Sequence, residues 1–142
     1  MFDLNDFLPY LINRAGARMA SKFSRALRPH GISLQEWRVL AALAASGEQR
    51  MSELSTLTSF DRTTLSRIVG HMAIARLIYQ KPNIEDLREV LISLSANGRR
   101  KVTAILPLAH HFEGVSIEGI STDDAIMLKR LLRHIYSNLD RL

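Results

Sequence analysis

Residues 51–75 read MSELSTLTSFDRTTLSRIVGHMAIA, and this stretch decides the fold. A short helix is expected from about Ser52 to Leu57, a break at Thr58-Ser59-Phe60, and a second helix from about Asp61 to Ala75. Two helices parted by so brief a turn predict a helix-turn-helix. In the second helix Leu65, Ile68, Val69 and Met72 recur at helical spacing and turn inward. Arg62, Thr63, Ser66, Arg67, Gly70 and His71 must then share the outward side. Apart from Asp61, the expected N-cap, this helix carries no carboxylate, so its exposed half combines hydroxyls and guanidinium groups.

Downstream, Ile78-Tyr79-Gln80-Lys81 and Glu89-Val90-Leu91-Ile92-Ser93 carry β-branched and aromatic residues around a polar, turn-forming Pro82-Asn83-Ile84-Glu85-Asp86. That is the pattern of a β-hairpin. Ser95 is placed to cap a further helix that runs past Pro107, where the missing amide and the ring should bend or break it. A last helix begins at Ser121-Thr122-Asp123-Asp124, and Leu128, Leu131, Leu132, Ile135, Leu139 and Leu142 fall on one stripe. Upstream, Leu8, Leu11, Ile12, Ala15, Met19, Phe23, Ala26 and Leu27 stripe a long first helix that Arg28-Pro29-His30-Gly31 stops. A capping box, Ser33-Leu34-Gln35-Glu36, opens the next helix, whose inner face is expected to hold Trp37, Leu40, Ala41 and Ala44.

The whole is mainly α with a small β-hairpin wing: a winged helix-turn-helix lobe at 33–100, an N-terminal dimerisation helix at 1–32 and C-terminal dimerisation helices at 101–142. The two terminal helices carry more apolar surface than one small lobe needs, which points to a homodimer. The chain of 142 residues has 19 Lys and Arg against 14 Asp and Glu, a net charge of +5 that favours a polyanionic partner. The excess is uneven, with eight basic and five acidic groups in residues 50–100 but five of each in 101–142. No cysteine is present, which excludes disulfides, thiolate metal sites and thiol-based redox sensing. The acidic start and the interruptions at Arg14, Arg18 and Lys22 argue against a signal peptide or membrane span, so the cytoplasm is the expected location.

A helix face of this kind can enter the major groove of double-stranded DNA, where Arg bonds bidentately to guanine and Thr touches the thymine methyl. The candidate readers are Arg62, Thr63, Thr64, Ser66, Arg67 and His71, with Arg67 the foremost base reader. On the wing the candidates are Lys81, Asp86 and Arg88. Asp86 sits two residues from Arg88, so a carboxylate is available to orient that guanidinium for a narrow minor groove. A surface ion pair worth about 0–1 kcal/mol is the plain alternative for that spacing. His110, His111 and Glu113 invite a metal reading, but adjacent helical histidines project roughly a hundred degrees apart, and a polar helix edge explains them. Met19, Met51, Met72 and Met127 are expected to fill core rather than sense oxidants. There is no phosphate-cradling glycine loop and no nucleophile or acid-base set, so neither an enzyme nor a cofactor is expected.

These residues resemble the MarR family of winged-helix regulators over nearly the whole chain. The resemblance is densest in Leu54-Ser55, Thr58, Phe60, Asp61, Thr63, Leu65, Ser66 and Arg67, in Asp86-Leu87-Arg88, and in Leu94-Ser95-Ala96-Asn97-Gly98. It implies a two-fold dimer with intertwined terminal helices, a paired wing aspartate and arginine, and a small, often aromatic or anionic, effector. The first, second and fifth helices would line the effector crevice. Ser59 and Arg76 depart from the family, standing where glycine is common. The expectation is a homodimeric regulator, more a repressor than an activator, on a pseudo-palindromic operator. Its rival is a winged-helix module that binds an acidic protein partner.

Overall fold

The computed structural model describes Met1 to Leu142. The chain divides into two compact units, Met1–Ala109 and His110–Leu142. In the first unit, a 3₁₀ turn at Leu4–Asp6 leads into α1 (Leu8–Leu27), which ends in a second such turn at Arg28–His30. Gly31 follows at φ 67, the left-handed conformation that lets the chain leave a helix sharply. Then come α2 (Leu34–Ser46), β1 (Gln49–Arg50), α3 (Met51–Thr58), α4 (Arg62–Ile74), β2 (Ile78–Pro82), β3 (Val90–Leu94) and α5 (Ala96–Ser116). The second unit holds the end of α5, α6 (Thr122–Asn138) and a last 3₁₀ turn at Leu139–Arg141.

The helices start where their caps say they should. Ser33 accepts from the Glu36 amide at 3.0 Å while Glu36 reaches back to the Ser33 amide at 3.4 Å, which closes the capping box of α2. Asp61 and Ser121 cap α4 and α6 by accepting from the Thr64 and Asp124 amides. The inner face of α2 is Val39, Leu40 and Leu43, with Trp37 and Ala41 half-buried; Ala44 is exposed, so the apolar stripe lies slightly rotated from the expected one. Leu54 of α3 and Leu65, Ile68, Val69 and Met72 of α4 join these residues in one core, closed by Ile78 and Ile92 of the sheet and by Val102 and Ile105 of α5.

Three further features differ from expectation. The hairpin is part of a three-stranded antiparallel sheet in the order β1-β3-β2, with Gln49 opposite Ile92 and Gln80 also opposite Ile92. A two-residue strand is too short to leave an alternating pattern. Pro107 does not break α5, which continues to Ser116. Met51 and Met72 fill core, but Met19 and Met127 are exposed on α1 and α6. No helix is long and apolar enough to cross a membrane.

Both non-glycine residues at the doubtful positions adopt left-handed backbone: Ser59 at φ 60 and Arg76 at φ 61. The second lets the chain leave α4 and enter β2, and the junction is then locked from outside. Ser95 donates its hydroxyl to the Arg76 carbonyl at 2.7 Å and accepts from the Gly98 amide at 2.9 Å, while its own amide donates to the Leu77 carbonyl at 3.0 Å. A Cβ at Gly98 would stand 2.1 Å from that Leu77 oxygen, so the backbones meet with no room for a side chain. Gly98→Ala is therefore expected to destabilise the lobe by at least about 1–3 kcal/mol. A urea unfolding midpoint equal to that of the parent would contradict this reading of the junction.

Candidate nucleic-acid interface

The turn between α3 and α4 is set by short side-chain bonds. Thr58 is buried and returns its hydroxyl to the Leu54 carbonyl at 2.7 Å, and Ser55 donates to the Phe60 carbonyl at 2.5 Å. These bonds hold the chain through the left-handed Ser59 without a glycine. Asp61 then accepts from the Thr64 amide at 2.8 Å and the Thr64 hydroxyl at 2.9 Å. The backbone bond from Thr64, reinforced by its hydroxyl, holds the Asp61 carboxyl below its ordinary range.

With four apolar residues of α4 buried, its other face opens to solvent. Arg62, Thr63, Ser66 and Arg67 line a groove of about 650 Å³, together with Arg88 and Val90 from the wing and Met51 at the start of α3. Two walls thus meet: a helix bearing hydroxyls and guanidiniums, and a ribbon bearing one more guanidinium. The groove can present hydrogen-bond donors to phosphate oxygens and to base acceptors together.

Arg88 is 91% exposed but held in place, because Asp86 Oδ1 accepts from its Nε and its amide at 3.1 Å each and Oδ2 from Nη2 at 3.4 Å. The Arg88 side-chain bonds, then its backbone bond and the nearby charge of Arg50, hold the Asp86 carboxyl below the usual range. A depressed carboxylate favours the ordered state above its free value and loses that effect only as pH falls through the lowered one, so the pair is complete at neutral pH.

The remaining candidates lie elsewhere. Thr64 is half-buried with its hydroxyl on Asp61, so it caps the helix rather than facing the groove. His71 is exposed farther along α4, beyond the groove residues. Lys81 is paired with Glu48 at 3.1 Å and borders a separate hollow with Arg50 and Asn83. Glu89 was not singled out by sequence, yet its Oε2 lies 3.4 Å from Arg62 Nη2, so the helix face is not free of carboxylates once the wing is in place. In the second unit Glu113 is taken up by Lys129, which also holds its carboxyl below the ordinary range.

The comparisons with known proteins agree with this architecture. A sequence profile of the MarR family matches residues 30–89, from the turn before α2 to the wing. The chain is similar to the HTH-type transcriptional repressor IacR of Pseudomonas putida, 26% identical over 141 residues that span 99% of this chain and 84% of the relative. It is also similar to the repressor NicR of Pseudomonas putida, 26% identical over 93% of this chain and 84% of that protein. Among solved structures, a MarR family transcriptional regulator from Silicibacter pomeroyi superposes with a TM-score of 0.85 at 26% identity, covering 95% of this chain and 90% of that one. The groove-bearing helix and its wing, the family profile over residues 30–89 and these likenesses together support a winged helix-turn-helix regulator of the MarR family.

Proposed function

We propose that the chain is a sequence-specific transcriptional regulator that binds double-stranded DNA as a homodimer, represses from a pseudo-palindromic operator, and releases it to a small aromatic or anionic effector. The observation that carries the DNA reading is the convergence of Arg62, Thr63, Ser66, Arg67 and Arg88 on one open groove. In this reading α4 enters the major groove with Arg67 as base reader, Thr63 and Ser66 bond backbone or base edges, and Arg88 reaches the adjacent minor groove. Thr64 serves by capping the helix, His71 and Lys81 contact phosphate from outside the groove lining, and Asp86 orients Arg88.

The dimer reading rests on unpartnered apolar surface. Leu8, Leu11, Ile12 and Met19 are exposed on α1, and Met127, Leu128, Leu131 and Leu132 on α6. A soluble chain rarely leaves stripes of that length bare, and a second copy supplies the matching stripe. Two copies would present their α4 helices about 34–36 Å apart, one turn of duplex. Repression is favoured by the names of the relatives, IacR and NicR, both repressors. An effector acts by preferring the arrangement that does not fit DNA.

Selection of duplex fragments by the purified protein should return inverted repeats, and a duplex with one half-site should bind far more weakly than one with two. Binding should weaken steeply with salt. Retention of acidic protein in preference to any duplex would instead favour the interaction module. Within the selected operator, Arg67→Ala should lower affinity by about 1–3 kcal/mol and relax preference at one position. The same loss on every sequence would remove Arg67 as a reader. For Arg88→Ala the expected loss is greatest on operators with A·T-rich flanks, where the narrow minor groove concentrates negative potential; affinity unchanged on all flanks would reduce Arg88 to a surface ion pair.

A further inference from the structure

Glu89 is the one carboxylate bonded to a cation that lines the α4 face of the groove. Its side chain is only 17% exposed, whereas that of Arg62, its partner across 27 positions of sequence, is 57% exposed. Its backbone is fixed independently, with the amide donating to the Asp86 carbonyl at 3.0 Å and the carbonyl accepting from Asn83 at 3.2 Å. Neither bond involves the carboxylate, so the wing loop does not require an acid here. What the acid does is reach across to the recognition helix. A largely covered carboxylate keeps a counter-charge close, and the nearest on offer is a cation at the mouth of a groove otherwise suited to anions.

Resting on the DNA-binding reading above, we propose that Glu89 is a specificity-determining positioning residue that acts through Arg62: it holds that guanidinium in place and cancels its charge toward phosphate. Non-specific binding depends on the number of cations that release counterions, so a neutralised Arg62 weakens it directly. Operator binding draws in addition on base contacts and on groups already held where they are needed. The pair therefore subtracts more from affinity for arbitrary DNA than from affinity for the operator, widening the ratio between them.

The test compares operator duplex with a scrambled duplex of equal length across a salt series, by fluorescence anisotropy. Glu89→Gln should raise affinity for the scrambled duplex by roughly two- to tenfold and steepen its log K against log salt slope by about one. Operator affinity should rise less, so the ratio falls. An unchanged slope and ratio would overturn the proposal. In an Arg62→Ala background the same substitution should have no further effect; an equal change without Arg62 would mean that the carboxylate repels DNA by itself and would overturn the assignment to that pair. Glu89→Asp keeps the charge but draws it back by one methylene, and should give a ratio between parent and Glu89→Gln. If Glu89→Gln loses the parent's cooperative melting, Glu89→Asp decides alone, and a ratio equal to the parent's overturns the proposal. A parent protein that binds no duplex at any salt would defeat the DNA reading itself, whereas a parent that binds while Glu89→Gln behaves identically defeats only the role of Glu89.

Discussion

The contact between the Gly98 backbone and the Leu77 carbonyl is the constraint on which the lobe depends. Three elements meet there: the exit from α4, the first strand of the wing and the start of α5. Ser95 ties all three, donating to Arg76, accepting from Gly98 and bonding Leu77 through its amide. A hydroxyl can serve as donor and acceptor in one place, which is why a serine suits the junction. Because the strand and the helix depart from the same few atoms, the angle between wing and α4 is not free. None of the junction residues lines the groove between them.

That dependence explains which parts of the fold were legible in the sequence. The inward stripe of α4 was readable because four apolar residues at helical spacing have one burial solution, and Ser33, Asp61 and Ser95 announced helix starts through bonds made within three residues. Features decided by distant partners were not. The strand at Gln49–Arg50 exists because β3 offers an open edge, and nothing in two residues encodes it. Arg62 and Glu89 stand 27 residues apart, and their pairing needs the wing to fold back over the helix. Arg76 illustrates the same limit in the backbone: its side chain disfavours a left-handed φ, and the bond from Ser95, 19 residues away, holds it there, whereas the left-handed Ser59 is held by bonds within five residues. Met19 and Met127 were misread for a different reason, since an apolar stripe reads alike whether its cover is the same chain or another.

The candidate site was legible in its chemistry and less so in its geometry. Arg62, Thr63, Ser66 and Arg67 follow from the helical period alone, and the structure gathers them with Arg88. Thr64, named among the readers although the helical period does not put it on the outward face, is drawn to the cap, because Asp61 accepts from its hydroxyl. Lys81 shows the parallel effect on a strand. Named among the wing candidates, it pairs with Glu48 and borders a different hollow.

The groove's arginines are not all held alike, and this bears on how they can be used. Arg88 is fixed by a neighbour two residues away, so its orientation travels with the wing tip as a unit. Arg62 is fixed by a residue on the opposite wall, so its orientation reports the distance between wing and helix. Arg67 has neither restraint in the groove. A polyanion entering the groove would meet one cation carried by the wing, one shared between the walls and one free to move. Any change in the angle of the wing leaves the first pair intact but stretches the second. The shared pair thereby ties the spacing of the two walls to the charge that the groove exposes.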